Sequence, residues 1–371
     1  MKILIVNPIM YSCENKRVVP RVDSVRDTLL CNLCKAFCKK GHEVVLYTTD
    51  IYKPRFNEEL GFKIIWDKPI LKSIFLPACF PFHSGLKRYI THNIKEYDMV
   101  ISSEVFQWSS LICSLYAHSK TVIWHETARH NRILKTIPSM FWYNIIAKMF
   151  FRKTLVVPRS IEAQSFVKKY LCNVTDEIIE HGIDDESFVP VKKKDRYFIV
   201  VSQLIERKHV EKIIEKFDNF TLNNKDYGDY KLMICGEGVK EQELKALCDK
   251  IKSGKRIDFK GKLAHSDLIP LISHAKALLI NSEKENSMVS IIESIAVGTP
   301  IITTSAPLNS SYIKTYKLGI VDDNWNQEEM IEVISENESY VNNCINYRNK
   351  LLNSSKVDEF INVYKKYIRS M

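Results

Sequence analysis

No apolar run in this sequence approaches the roughly 20 residues that a membrane-crossing helix requires, which excludes a protein built of such helices. The opening residues, MKILIVNPIM, hold a short apolar stretch with no small-residue cleavage site behind it. They do not read as a secretory leader, and a cytoplasmic chain is expected. Nothing repeats with the period of about 20–50 residues that marks solenoids and propellers, and there is no low-complexity tail. The glycines of CGEGVKEQE lack the third that a dinucleotide-binding fingerprint needs, so Gly236 and Gly238 count first as turn residues. D-x-D triplets are missing altogether, which leaves a metal-bridged phosphate site without an obvious ligand set. Metal-independent chemistry with no cofactor is therefore the expectation. Positive charge is present, +10 in all, but no nucleic-acid recognition motif accompanies it, so nucleic acid is not an expected partner.

What remains is a chain of 371 residues, longer than a usual single core, for which two domains are expected. Hydrophobic residues make up 45% and charged residues 26%, the balance of a soluble globular protein. Its ten cysteines, with no leader before them, read as reduced thiols. Cys31, Cys34 and Cys38 share one face of a helical stretch with no fourth Cys or His nearby, which assigns them to core packing and not to a metal cluster.

Short β-branched runs, KILIVN, HEVVLYTT, FKIIW, MVISSE and TVIWHE, alternate with helical segments. Such alternation predicts a parallel sheet with helices on both faces. The pattern pauses at EIIEHGIDDESFVPVKKKD and resumes with YFIVVSQLI, YKLMICGEG, RIDFKGKL, KALLINSE and GTPIITTS. Two α/β domains in tandem leave a cleft between them, and ligands of such sheets sit beyond the carboxyl ends of the strands. Gln203, Gly236, Lys262 and Glu285 occupy such positions.

The stretch ENSMVSIIESIAVGTPII reads as the loop after the strand KALLIN followed by a helix, with Asn286 or Ser287 as its N-cap. Glu285 then precedes the helix and Glu293 lies about two turns in. The first-turn N–H groups of Met288, Val289 and Ser290 form an anion site between the two carboxylates. Acids flanking a phosphate site make electrostatic sense when each meets hydroxyl groups, which a nucleotide sugar supplies. The plainer alternative is a surface helix with two solvated acids, stopped by Gly298 and Pro300.

The spacing E-x7-E in that stretch, together with VSQLIERKHVEKIIEKF, ICGEG, IDFKGKL and IEHGIDDESFVP in the same order, resembles the retaining GT-B glycosyltransferases of family 4. The resemblance implies a GT-B fold, two Rossmann-like α/β domains facing a cleft. It implies an N-terminal acceptor-side domain over 1–175, a linker over 176–195 and a nucleotide-sugar-binding domain over 196–355. A C-terminal helix over 356–371 would pack back on the first domain. By the same resemblance Glu293 accepts hydrogen bonds from the donor ribose, Glu285 lies beside the donor sugar, and Lys208 binds phosphate. Lys208, Glu285 and His125 are the candidate catalytic residues. Arg207, Gln203, Ser287, Met288, Val289, Ser290, Glu293, Lys262 and Leu263 are the candidate donor-binding residues. Gln203 stands where the family has an arginine, and Arg207 is the candidate replacement for the lost charge.

His125, at the end of the strand TVIWH, aligns with a histidine that the family places near the donor sugar and acceptor; packing in the core is the alternative reading. Arg21, Arg26 and Arg159 are weaker acceptor-side candidates. Between Leu71 and Tyr170 there are 14 Lys or Arg against 5 Asp or Glu, interleaved with aromatic residues. A basic face carrying apolar anchors such as Phe141, Trp142 and Phe150 would suit an anionic membrane. The expected function is transfer of a sugar from a nucleoside-diphosphate sugar, a UDP-sugar foremost, to a lipid-linked or surface-polysaccharide acceptor at the inner face of the cell membrane. The alternatives are another GT-B activity, such as an epimerase or hydrolase, and a nucleotide-sugar-binding subunit without catalysis.

Overall fold

The computed structural model describes residues 1–10, 24–26, 28–72, 75, 79–130, 136–285 and 288–370. It divides into two compact units, Met1–Gly182 with Asn353–Met371, and Ile183–Leu352. The second unit thus begins within the stretch read as a linker, because Ile183 and Phe188 are buried in its core and Ile183 pairs with Leu352.

In the first unit, strands β1 (Lys2–Val6), β2 (Glu43–Thr49) and β3 (Lys63–Asp67) are followed by a small antiparallel pair, β4 (Pro69–Ile70) and β5 (Phe82–His83). Then come β6 (Met99–Ser103), β7 (Thr121–His125) and β8 (Leu155–Pro158). The six long strands form one parallel sheet in the order β3-β2-β1-β6-β7-β8. Ile3, Leu4, Ile5 and Val6 are all buried, which explains why β1 reads as a continuous apolar run instead of alternating. Strand order reverses between β1 and β6, so the chain segments leaving these two strands flank the switch point where such sheets bind ligands.

The helix Leu29–Lys39 is capped by Thr28, whose hydroxyl accepts from the Cys31 N–H, and it buries Cys31, Cys34 and Phe37 against the sheet. The helix Asn353–Ser370 joins that core through Val357, Phe360, Ile361, Val363 and Tyr364. Burying side chains of this size is worth about 2 kcal/mol each. Tyr364 Oη also donates to Asp98 O at 2.6 Å, and Lys40 pairs with Asp358 at 2.6 Å.

The helical run Ile137–Phe150 widens into a π-turn over Trp142–Ala147. Ile137, Met140, Phe141, Ile145, Met149 and Phe150 are exposed along it. Trp142 is not among them, contrary to the sequence reading. It is buried beneath Phe80 and Phe106, and its indole donates to Val105 O at 2.9 Å. Among the described residues no helix is long and apolar enough to cross a membrane.

The second unit repeats the plan with β9 (Tyr197–Val201), β10 (Lys231–Cys235), β11 (Ile257–Gly261), β12 (Leu278–Leu279), β13 (Ile301–Thr303) and β14 (Gly319–Val321). Their order is β11-β10-β9-β12-β13-β14, all parallel, so its switch point lies between β9 and β12. Gly236 and Gly238 press the loop after β10 onto the loop after β9. A Cβ on Gly236 would meet Ser202 O at 1.8 Å, and one on Gly238 would meet Leu204 O at 2.3 Å. Close backbone approach is thus their structural role. Lys194 is buried and donates to Ser273 O, Val297 O and Thr299 Oγ1, tying the ends of two helices together.

Candidate functional site

The segments leaving β9 and β12 meet at the switch point of the second unit. After β9 the chain makes a 3-10 turn at Glu206–Lys208, and His209, with φ +46, turns it into the helix Val210–Asn223. Lys208 is thereby buried while Arg207 stays partly exposed. Both reach Glu285 in the segment after β12: Lys208 Nζ lies 2.6 Å from Glu285 Oε1, and Arg207 binds the same oxygen and Lys284 O. Burial pushes the Lys208 ammonium below its ordinary pKa, and Glu285 pulls it back up. Glu283 strengthens the connection, since its N–H donates to Arg207 O at 3.2 Å and its carboxylate lies 2.8 Å from His209 Nε2. One acid therefore pairs with two cations, and the trio keeps one positive charge in excess.

The helix itself runs Val289–Ala296, later than the sequence reading placed it. Met288 holds the N-cap position and is itself gripped by buried Asn309, whose Oδ1 accepts from Met288 N–H at 3.2 Å and whose Nδ2 donates to Met288 O at 2.9 Å. The Met288 N–H is therefore already engaged, which leaves Val289 and Ser290 to present first-turn donors. Ser287 lies outside the described residues.

Glu293 is 4% exposed, and burial pushes its carboxyl up to about 8. Its described ionic neighbour is His265, with Nδ1 at 3.6 Å from Oε1. His265 opens the helix that follows Lys262 and Leu263, so the segment after β11 reaches Glu293 through a residue the sequence reading did not name. Lys262 itself is exposed and lies 3.6 Å from Glu237, and Leu263 packs at the edge of the core. Gln203 is exposed beside the basic turn.

The remaining candidates belong to the first unit. His125 ends β7 with no exposed surface and lies 3.0 Å from Glu104 Oε2 through Nδ1. Arg159 follows β8, stacks on Trp124 at 3.6 Å, and donates to Glu126 Oε2 at 2.7 Å with His181 Nε2 at 2.9 Å. Arg26 is exposed and donates to Glu59 O at 3.3 Å. Arg21 lies outside the described residues. Among the described residues no three His, Cys, Asp or Glu side chains converge as a metal set.

Residues 183–350, nearly the whole second unit, match the family described as Glycosyl transferases group 1. This stretch is a domain of that family. In sequence the chain is 24% identical over 216 residues to the O-antigen chain mannosyltransferase RfbU of Salmonella typhimurium (strain LT2). That match takes in 54% of this chain and 58% of its relative, so it spans little more than half of that protein. In structure the chain resembles a glycosyltransferase from Rickettsia africae, with a TM-score of 0.67 at 15% identity, over 100% of this chain and 99% of the other. It also resembles HepE from Anabaena, solved in complex with UDP, with a TM-score of 0.63 at 11% identity, over 99% and 100% of the two chains. The fold is the GT-B fold, with two Rossmann-like α/β domains.

Proposed function

We propose that this protein is a retaining glycosyltransferase that moves a hexose-type sugar from a UDP-sugar to a lipid-linked or surface-polysaccharide acceptor. The observation that carries this reading is the cluster at the β9/β12 switch point, where Lys208 and Arg207 pair with Glu285 in the segment that leads into the helix bearing Glu293. Val289 and Ser290 N–H groups with Lys208 and Arg207 would hold the diphosphate, and Glu293 would accept from the ribose. The departing diphosphate gathers negative charge as the glycosidic bond breaks, and fixed donors at that point stabilise it. These cations do the work that a metal does elsewhere, so transfer is metal-independent. Glu285 would leave its cations for the sugar hydroxyls once phosphate takes its place. The UDP bound to HepE and the O-antigen role of the Salmonella protein support the donor and acceptor classes.

On the first unit, the exposed apolar side chains of Ile137–Phe150 lie beside Lys148, Arg152 and Lys153, which suits peripheral contact with an anionic membrane. A second reading, nucleotide-sugar binding without turnover, has the neutral Gln203 in its favour. A thermal-shift screen of nucleotide sugars followed by transfer assays with the labelled donor separates the two. Stabilisation by a UDP-sugar followed by labelled glycan supports transfer. Stabilisation without transfer supports the binding subunit, and donor isomerisation points to an epimerase.

A further inference from the structure

Glu104 leaves β6 at the switch point of the first sheet with φ +66. A non-glycine residue held in the left-handed region is strained, and such strain gathers at functional sites. Here the conformation lets Glu104 N–H donate to Trp124 O at 3.1 Å while its carboxylate reaches the segment behind β7. Oε1 accepts from Glu126 N–H at 2.7 Å, and Oε2 accepts from the Thr127 hydroxyl at 2.8 Å and from Thr127 N–H at 3.4 Å. Oε2 also lies 3.0 Å from His125 Nδ1.

Burial would push the Glu104 carboxyl up, but His125 and Arg159 outweigh it and hold the group below its ordinary range. As a carboxylate it only accepts, so its contact with His125, at 3.0 Å, calls for the proton on Nδ1 and competes there with the longer approach of the Val105 N–H to the same nitrogen at 3.5 Å. In the neutral Nδ1–H form, Nε2 is the lone-pair nitrogen of the ring. It is buried, and no hydrogen-bond partner reaches it among the described residues. Tyr143, whose ring lies 6.3 Å from that of His125, also has a buried hydroxyl without such a partner. Arg159 is engaged with Glu126 and His181. Folded proteins rarely leave buried polar atoms unpaired, and those they do leave call for a ligand or a water.

We propose that Glu104 is a positioning residue for sugar transfer: it fixes His125 as the Nδ1–H tautomer and so presents Nε2 to accept a hydrogen bond from a hydroxyl of the reacting sugars. The sugar's part in this rests on the transferase reading, whereas the tautomer does not.

The test uses the full chain and two variants. Glu104→Gln keeps the shape and removes the charge. Glu104→Gly removes the side chain and also relieves the left-handed strain, so loss of activity in it does not trace to backbone strain. Imidazole nitrogen NMR, with His125→Gln to assign the signals, is expected to show a protonated Nδ1 and a bare Nε2 in the wild type near neutral pH. Both Glu104 variants should shift that pattern and lower kcat at least about tenfold, with the donor KM within about twofold. An imidazolium or Nε2–H form in the wild type, an unshifted pattern in both variants, or unchanged kcat despite a shifted pattern overturns the proposal. A wild type that transfers no sugar from any donor brings down the transferase reading, and the role of Glu104 in transfer with it. An active wild type with unaffected variants sinks the positioning role alone.

Discussion

Glu293 is a buried carboxyl that we propose holds the donor ribose, and Glu293→Gln should separate the cost of its burial from its part in binding. Its folded-state pKa of about 8 lies above the ordinary 4.5, so the fold is penalised as pH rises through that window. The penalty is absent below the lower value and complete above the upper one. At about 1.4 kcal/mol per pKa unit, the unliganded fold gives up ~3 kcal/mol near pH 7 relative to a solvated carboxyl. Glutamine has nearly the same shape and does not titrate. The variant's stability margin over the wild type, read from urea unfolding, should therefore widen by ~2 kcal/mol between about pH 5 and 7. Donor binding should move the other way. Hydrogen bonds to a charged acceptor exceed those to a neutral one by ~1 kcal/mol or more, so calorimetry at about pH 9, where the wild-type group is ionised, should show donor affinity reduced about tenfold, and less near pH 7. Wild-type affinity should climb towards about pH 8 and then level, since the ribose is held by the ionised form. A margin that stays flat with pH would refute the burial argument, and unchanged donor affinity would remove Glu293 from the site.

Lys208→Ala should lower kcat at least about tenfold by leaving diphosphate charge uncompensated; if Arg207→Ala has this effect and Lys208→Ala does not, the two residues exchange roles. EDTA should leave transfer intact, and activity that is lost in EDTA and restored by magnesium or manganese would show a metal in the phosphate site. Anionic vesicles should sediment the protein far better than neutral ones, less so as salt rises past the point where the Debye length falls to about 8 Å. Replacing Lys148, Arg152 and Lys153 together by Gln should weaken that sedimentation while donor affinity stays unchanged, and an unaffected triple variant would point to a soluble acceptor.

The two parallel sheets were legible because most strands are short apolar runs, a signal carried by neighbouring residues. The place of Glu285 after a strand was legible for the same reason, whereas Lys208 was picked out by the resemblance alone. What escaped the sequence depends on partners far along the chain. Asn309 grips Met288 at the start of the Glu293 helix, and nothing local to ENSMVS announces that contact. Burial of Trp142 follows from its contacts with Phe80 and Phe106. Glu104 stood in plain view at the end of MVISSE, but its left-handed backbone and its hold on His125 exist only once β6 and β7 are side by side. His265 was hidden differently, because the F-x-G turn drew attention to Lys262 and Leu263 and away from the residue that reaches Glu293.

The first unit is interrupted in sequence, while the second is continuous from Ile183 to Leu352. During synthesis the second can therefore close its core before the first, although it emerges from the ribosome later. Until Val357, Phe360 and Tyr364 arrive, the face around Phe37 and Trp124 stays open to solvent and to other nascent chains. Loss of the helix Asn353–Ser370 would thus strike the half of the protein made first, leaving a sound second unit joined to an aggregation-prone partner.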